Sequence, residues 1–288
     1  MKKKSGFWNG IIGTIIIFLI LFYGGSLILS VPMLLMDQSS MSPGWYSLLF
    51  NYLPVAILGV IFVLFMMWKD RDSLAAMLPK YGSNRPGKAL FGLLAGFLCN
   101  AGLIMIACAA GNIRLSFRGM NIGFAVCAFI IVSLQCIGEE IMDRVFLYQR
   151  FKSARGHIPA LVISAVLFSA AHISNMITVH ADAATAVLGL LNIVLIGIYF
   201  AETVYYGNGV WFAFAFHSAW NFSQNFVFGL PNSGTAATES IFGIASESGG
   251  LVYNTIFGVE AAVTTTALIV ILIAVTCIRG RMKQKEKI

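Results

Sequence analysis

The chain has 288 residues, of which 58% are hydrophobic and only 11% are Asp, Glu, Lys or Arg. Soluble domains carry about 25% charged residues, so this composition excludes a soluble globular protein and predicts a polytopic membrane protein. The net charge of +7 does not indicate nucleic-acid binding, because the basic residues stand in short segments between apolar runs. In such segments basic residues orient a membrane protein. We therefore predict an all-α bundle of membrane helices, with lipid and not nucleic acid as its surroundings.

Apolar runs long enough to cross a bilayer recur along the whole chain. A membrane-spanning helix needs about 20 mainly apolar residues. Eight runs meet this length, at about 7–35, 46–68, 88–109, 122–148, 158–176, 183–204, 208–227 and 257–278. No soluble domain can be separated from them, so we predict a single integral membrane domain over residues 1–288.

Basic residues lie mainly on one side of these eight predicted spans. With the N-terminus inside, four inner segments hold all but three of the 19 Lys and Arg residues. These segments begin with Lys2, Lys3 and Lys4 and continue at 69–88, 150–155 and 279–287. The three exceptions are Arg114, Arg118 and Arg144. Because cytoplasmic segments carry an excess of Lys and Arg, we predict that both termini are cytoplasmic.

Several local features refine this organisation. The five cysteines lie in apolar runs without C-x-x-C spacing, which indicates buried hydrophobic side chains rather than disulfides. The longest outer loop, at about 228–256, is rich in Gly, Ser, Thr and Asn and is predicted to be flexible. Gly92 and Gly96 are spaced for the close approach of two membrane helices.

The fourth apolar run contains an unusual charged cluster, Glu139-Glu140-Ile141-Met142-Asp143-Arg144. A charge inside a bilayer costs roughly 2.5–3.5 kcal/mol on insertion scales, so such residues indicate a functional site. Glu140 and Arg144 are four residues apart on a helix and are predicted to form an ion pair. Glu139 points about 100° away from Glu140, on the same stripe as Asp143. We predict that Arg144 neutralises Glu140 and leaves Glu139 available for chemistry.

Two later spans add polar residues that could join this cluster. His172 lies in the fifth span, and His217 lies in the seventh, where it shares one helix face with Asn221. Either histidine alone would more often belong to a structural polar network than to a functional site. Buried polar groups in a membrane must satisfy one another, however. We therefore predict that the glutamates, the two histidines and Asn221 meet in one place.

This set of groups suits hydrolysis by an activated water molecule. A glutamate can take a proton from water, and a nearby imidazole can hold or polarise that water. His217 and the amide of Asn221 could donate hydrogen bonds to the oxyanion of a peptide carbonyl under attack. Glu139, His172 and His217 could instead ligate a divalent metal such as Zn²⁺. The H-E-x-x-H pattern is absent, and metal-free and metal-assisted hydrolysis both remain open.

Three short motifs, in order on three predicted helices, resemble those of the CPBP family. They are Glu-Glu-x-x-x-Arg at 139–144, Phe-x-x-x-His at 168–172 and His-x-x-x-Asn at 217–221. The family comprises type II CAAX prenyl endopeptidases and related bacterial bacteriocin-processing or immunity proteins, also called Abi proteins. The motifs lie within about 122–222, and the resemblance implies a catalytic core at about 122–227.

The resemblance also implies a role for each motif residue. The first motif would supply the water-activating glutamate, Glu139, and its supports Glu140 and Arg144. The other two motifs would shape the site, hold the water and stabilise the oxyanion. They contribute Phe168, His172, His217 and Asn221. The family is usually described as intramembrane metalloproteases, although a metal-independent glutamate mechanism is also discussed.

These expectations favour an intramembrane endopeptidase that cuts a membrane-associated or lipidated peptide, in a prokaryotic cytoplasmic membrane. Prenylated CAAX peptides are the substrates of the eukaryotic branch, and no residue here selects a prenyl group. One alternative is a non-catalytic scaffold or bacteriocin-immunity protein that uses the polar network to bind a partner. A transporter is a weaker alternative, because buried acids mark ion pathways but no internal repeat is evident. We expect a polar cavity in the inner half of the membrane, and the oligomeric state is left open.

Overall fold

The computed structural model describes residues 8, 10–35, 39, 41–78, 84–207, 209–236 and 238–286. Five basic residues that contribute to the predicted charge asymmetry lie outside these described residues. They are Lys2, Lys3, Lys4, Lys80 and Lys287.

The molecule is built from a bundle of long apolar helices. Within the described ranges, seven helices are long and apolar enough to cross a membrane. They are α1 (Ile11–Pro32), α2 (Pro43–Lys69), α3 (Pro86–Ala109), α4 (Ile122–Arg155), α5 (His157–Thr178), α6 (Ala183–Gly207) and α8 (Val263–Lys285). The seventh predicted span is the shorter α7 (Trp211–Phe222), which continues as a π-helical turn, Ser223–Val227. The predicted helical bundle of about eight spans is confirmed, and the chain is a polytopic integral membrane protein.

A small β-sheet connects two of the predicted outer segments. Strands β1 (Ile113–Phe117) and β2 (Phe242–Glu247) pair antiparallel, with Phe117 opposite Phe242. The first strand follows α3, and the second lies between α7 and α8. The loop predicted as flexible at about 228–256 therefore contains a strand, and its flexibility stays a prediction.

Helix α7 occupies the centre of the bundle. Every residue from Ala213 to Asn221 in this helix is buried, as expected for a helix that is surrounded by protein. Helix α7 packs against α3 and α4, α4 also packs against α2, and α6 packs against α5 and α8. Large apolar side chains such as Leu94, Leu98 and Ile130 are exposed on the outside of the bundle, where lipid tails would cover them.

Glycines allow α3 to approach the backbone of α7. A Cβ atom on Gly92 would lie 2.6 Å from the carbonyl oxygen of Phe212, and one on Gly96 would overlap the carbonyl oxygen of Phe216. The predicted close approach at these two glycines is confirmed. Because Phe216 directly precedes His217, this contact also fixes the depth at which His217 enters the bundle.

The Gly96→Ala variant is expected to lower the stability of the folded protein by about 1–3 kcal/mol, because a backbone carbonyl cannot move aside for a new methyl group. Gly102→Ala on the same helix is the matched control, since nothing lies within 4 Å of a Cβ atom there. Thermal unfolding in detergent micelles measures both. Equal midpoints for the two variants would contradict the close helix contact.

The segment between α7 and α8 folds back into the bundle. The sequence places the eighth span from about residue 257, but α8 begins at Val263, and Val259–Ala261 forms a 3₁₀ turn instead. Asn192 on α6 holds this turn, since its Nδ2 donates to the carbonyl oxygens of Glu260 at 2.8 Å and of Ala262 at 3.1 Å. A carboxylate from this segment therefore reaches the interior of the protein.

Candidate active site

Glu139 and Glu140 stand where the geometry of α4 changes. The regular α-helix Ile122–Glu140 ends at this pair, and the π-helical turn Ile141–Leu147 follows without a break. All seven residues of that turn are buried. Single π-helical turns inside α-helices frequently occur at functional sites, where they change the direction of the side chains that follow.

Arg144 is fully buried and contacts both acids near it. Its Nε lies 3.2 Å from Oε2 of Glu140, and its Nη1 is in ion-pair contact with Oδ2 of Asp143. Its Nη2 donates a hydrogen bond of 3.2 Å to the carbonyl oxygen of Gly197 on α6. The predicted Glu140–Arg144 ion pair is confirmed. Asp143, which is predicted to share a helix stripe with Glu139, contacts this guanidinium.

Phe168 connects the arginine to the two histidines. The Arg144 guanidinium carbon lies 4.7 Å from the centre of the Phe168 ring, a cation–π distance. The Phe168 ring lies edge-on to the His172 ring at 5.0 Å and to the His217 ring at 6.4 Å, between ring centres. This aromatic side chain therefore contacts both the charged cluster and the His172 ring.

His217 is the point at which the acids and the amide meet. Its Nδ1 lies 3.0 Å from Oε1 of Glu140, and its Nε2 lies 3.6 Å from Oε2 of Glu139. The same Nε2 lies 3.3 Å from Nδ2 of Asn221, four residues further along α7. A carboxylate can only accept a hydrogen bond, so Nδ1 of the ring carries a proton and donates to Glu140. In the neutral ring, Nε2 then carries no proton and acts as a hydrogen-bond acceptor. His217 thus has one nitrogen fixed by Glu140 and the other facing Glu139 and Asn221.

Glu139 has a second partner on its own helix. Nε2 of Gln135, one turn earlier, donates a 2.5 Å hydrogen bond to Oε1 of Glu139. The side chain is 13% exposed, whereas that of Glu140 is fully buried. The distance from Glu139 to His217 exceeds that of a direct hydrogen bond, and one water molecule could bond to both side chains.

His172 lies at an interruption of α5. The first part of α5 ends at Ala170, and the helix resumes at Ile173. At this break the His172 backbone N–H bonds to Ser169, and the ring Nδ1 bonds to the Phe168 carbonyl oxygen at 2.9 Å. Because a carbonyl only accepts, Nδ1 carries the proton and Nε2 of the neutral ring is an acceptor.

A cavity of about 50 Å³ adjoins these groups. It is lined by Phe168, His172, Asn192, Ile193, Ile196, Phe200, Phe216, His217, Trp220, Asn221, Ser233, Glu260, Thr265 and Ile269. A water molecule needs roughly 10–15 Å³ by this measure, so the cavity has room for several. Ser233 belongs to the predicted outer loop at about 228–256, and Glu260 lies in the 3₁₀ turn that follows this loop. The cavity therefore extends toward that loop, and its depth in the membrane stays a prediction.

The structure brings most of the predicted residues together. Glu139, Glu140, His217 and Asn221 lie in direct or near contact, and Arg144 supports Glu140. His172 lines the same cavity as His217 and Asn221, while its Nδ1 is held by its own helix. The catalytic roles that the resemblance implies for these residues stay predictions.

Two polar residues of the site escaped the sequence interpretation because they come from a non-helical segment. Glu260 lies in the 3₁₀ turn before α8, and Asn232 lies after α7. Nδ2 of Asn232 lies 3.2 Å from Oδ1 of Asn221 and 3.0 Å from Oε1 of Glu260. Burial raises the pKa of the Glu260 carboxyl to about 7, although hydrogen bonds from Ser233 oppose this shift. Gln135 was also missed, but its four-residue spacing from Glu139 could have revealed it.

The predicted metal ligands do not form a metal-binding cluster. No group of three His, Cys, Asp or Glu side chains in the described part of the chain is arranged to hold a metal ion. Of the predicted set Glu139, His172 and His217, both histidines have their Nδ1 hydrogen-bonded, to Phe168 and to Glu140. This leaves Nε2 of each ring available, as it is in metal-ligating histidines, and metal ligation stays a prediction.

The helical bundle and its buried cluster of acids, histidines and an amide define an integral membrane protein with a site suited to hydrolysis. Residues 121–223 match the family model described as type II CAAX prenyl endopeptidase Rce1-like. Comparisons with curated proteins and with solved structures returned no match. The matched residues contain all three motifs, so the resemblance to the CPBP family is confirmed. Residues 121–223 are therefore similar to the domain of type II CAAX prenyl endopeptidases.

Proposed function

We infer that this protein is an intramembrane endopeptidase that hydrolyses a peptide bond in a membrane-associated or lipidated peptide. The observation that carries this proposal is the meeting of Glu139 and Asn221 at one nitrogen of His217. The two contacts, at 3.6 and 3.3 Å, lie inside the membrane bundle and within the matched domain. An acid, an imidazole and an amide at one buried point are the groups that water-mediated peptide hydrolysis requires.

Glu139 is proposed as the general base. A water molecule between its Oε2 and Nε2 of His217 would lose a proton to the carboxylate while its oxygen attacks the peptide carbonyl carbon. The Glu139 carboxyl would then deliver that proton to the leaving nitrogen as the carbon–nitrogen bond breaks. General acid–base catalysis of this kind contributes typically about 10²–10⁴-fold to the rate.

Asn221 is proposed to stabilise the oxyanion that this attack creates. Its Nδ2 faces His217 rather than the helix backbone, so an N–H is directed toward the proposed reaction centre. His172 lines the cavity from the other side, and its ring could hold the water or the substrate carbonyl. Loss of one oxyanion donor typically costs about 10²–10³-fold in kcat.

Glu140 and Arg144 would support the reaction without touching the substrate. Glu140 fixes His217 by accepting a hydrogen bond from its Nδ1–H, which leaves Nε2 of the ring facing Glu139. Arg144 offsets the charge of Glu140 in a fully buried environment. A buried carboxylate without such a partner would take up a proton and could no longer orient the imidazole.

The substrate is proposed to be a peptide held at the membrane by a lipid or an apolar segment. The family description names CAAX prenyl peptides, and the site is reached within a bundle whose outer surface is apolar. We place the protein in a prokaryotic cytoplasmic membrane, with peptide maturation or bacteriocin self-immunity as its setting. Metal dependence stays open to direct metal analysis of the purified protein.

Cleavage of paired fluorogenic peptides tests this function. We expect proteoliposomes containing the protein to cleave a quenched CAAX peptide that carries a farnesyl group on its cysteine. The unmodified peptide should show a higher KM, because each buried methylene of the lipid contributes about 0.8 kcal/mol to membrane binding. Failure of the folded protein to cleave either peptide, or a panel of acylated peptides, would count against an endopeptidase of this class.

A further inference from the structure

We propose that Asn232 and Glu260 are positioning residues that fix the amide orientation of Asn221 and, through it, the protonated nitrogen of His217. The effect on catalysis rests on the proposed function, whereas the effect on the histidine does not. Both residues come from the segment between α7 and α8, outside the match at residues 121–223.

The starting point of this arrangement is the Glu260 carboxylate. Its Oε2 receives the backbone N–H of Ser233 at 2.5 Å and the Ser233 hydroxyl at 3.1 Å. A backbone N–H can only donate, so this end of the carboxylate is held as an acceptor. The Glu260 backbone is in turn held by Asn192 on α6, at 2.8 Å. Ser233 and Asn192 therefore fix the position of this acceptor.

Asn232 connects the Glu260 carboxylate to Asn221 through two hydrogen bonds. Its Nδ2 has two protons and lies near two oxygens, Oε1 of Glu260 at 3.0 Å and Oδ1 of Asn221 at 3.2 Å. A flipped Asn232 would place its own oxygen against both of these acceptors. The carboxylate of Glu260 therefore selects the orientation in which Asn232 donates twice.

The orientation of Asn221 follows from that of Asn232. Because its Oδ1 accepts from Asn232, its Nδ2 must face Nε2 of His217, at 3.3 Å. That nitrogen then accepts, and the ring proton resides on Nδ1, which donates to Glu140 at 3.0 Å. Each hydrogen bond in this series has only one possible donor. The series begins at the Glu260 carboxylate and ends at the Glu140 carboxylate, and both of these groups can only accept.

Burial makes this series strongly selective. Asn232 is 4% exposed and Asn221 is 5% exposed, so water competes little for their hydrogen bonds. In such surroundings a reversed amide faces an unsatisfied donor or an opposed acceptor, which is costly. A reversed Asn221 would also present an oxygen to the developing oxyanion, in place of the N–H that would stabilise it.

The test replaces the Asn232 amide, which donates hydrogen bonds, with a carboxylate of the same size, which only accepts them. Asn232→Asp removes both donors while it keeps the size of the side chain. Asn254→Asp, in the same segment, is the matched control. Asn254 accepts from the backbone N–H groups of Ile256 and Phe257, and a carboxylate can still do so. The variant also loses one donated bond, to Oγ1 of Thr185 at 2.8 Å, but Thr185 does not line the cavity. Glu260→Gln is the second variant, and it should act in the same direction with a smaller effect.

Two measurements are made on the full-length protein at about one pH unit above the pKa of Glu260. Long-range ¹H–¹⁵N spectra of ¹⁵N-histidine-labelled protein report which ring nitrogen of His217 carries the proton. Steady-state cleavage of the farnesylated peptide gives kcat and KM separately. We expect Asn232→Asp to shift the His217 signals and to lower kcat by about 10–100-fold, with KM changed by less than about threefold. Asn254→Asp should leave the His217 signals and kcat unchanged.

The two measurements separate this proposal from the proposed function. If no variant and no wild-type protein cleaves peptide, a His217 shift confined to Asn232→Asp and Glu260→Gln still supports the positioning role. Unchanged His217 signals in folded Asn232→Asp or folded Glu260→Gln would overturn it, whether or not kcat falls. If Asn232→Asp fails to fold, the His217 signals of Glu260→Gln alone test the positioning role.

Discussion

The Glu139→Gln variant is expected to lose peptide cleavage by about 10²–10⁴-fold while it keeps its folded structure. The amide keeps the shape of the side chain and can still bond to Gln135, but it cannot take a proton from water. The change should appear in kcat, because the carboxylate acts in the transition state rather than in binding. Cleavage of the farnesylated peptide in proteoliposomes gives the rate, and thermal unfolding shows that the fold is retained.

Glu202→Gln is the control for this experiment. Glu202 is also a buried glutamate of the bundle, but its partner is His157, at 3.2 Å, outside the active site. We expect this variant to retain cleavage within about twofold, because it alters no group at the proposed reaction centre. Retention of the cellular function in Glu139→Gln would instead indicate a scaffold or immunity protein that binds a partner. Proton-coupled uptake into liposomes would indicate a transporter.

The Arg144→Met variant is expected to be the most damaging single change to stability. It removes the positive charge that contacts both Glu140 and Asp143 and leaves two buried acids without their partner. Removing one member of a buried ion pair typically costs about 3–5 kcal/mol, which is a large fraction of the stability of most proteins. We expect little folded protein after detergent extraction, as measured by size-exclusion chromatography and thermal unfolding.

Two further variants test whether the unpaired buried charges cause the loss of stability in Arg144→Met. Arg155→Met changes an exposed arginine of the same helix and should leave the unfolding midpoint nearly unchanged. The triple variant Glu140→Gln/Asp143→Asn/Arg144→Met removes all three charges together and should recover folded protein, because no uncompensated charge remains. It should stay inactive, since a neutral residue at 140 no longer selects the His217 tautomer. Failure of the triple variant to fold would contradict this explanation.

Regular helix geometry is the reason that much of the site could be predicted. A four-residue separation on an α-helix places Glu140 beside Arg144 and His217 beside Asn221, and both pairs are in contact. The meeting of Glu139 with His217 followed from a different argument, that buried polar groups of separate helices need one another. The composition and the placement of Lys and Arg were sufficient to predict the bundle of membrane helices.

The errors arise where the backbone departs from the regular helix. Asp143 lies in the π-helical turn Ile141–Leu147 and contacts Arg144, a contact that ideal helix spacing did not predict. At the break at His172, the ring bonds to the carbonyl oxygen of Phe168, four residues earlier in the same helix. Asn232 and Glu260 lie in an irregular segment, where spacing along the sequence carries no information about position. Hydropathy could not separate this inserted turn from the start of α8.

A structure with a bound peptide aldehyde is the most direct measurement of the central claim. The hydrated aldehyde resembles the tetrahedral intermediate of water attack, so its two oxygens report where the attacking water and the oxyanion reside. We predict that one oxygen lies within hydrogen-bond distance of Glu139 and that the other lies against Nδ2 of Asn221. An inhibitor bound at another surface, with Glu139 and Asn221 turned away from a common atom, would contradict the assignment.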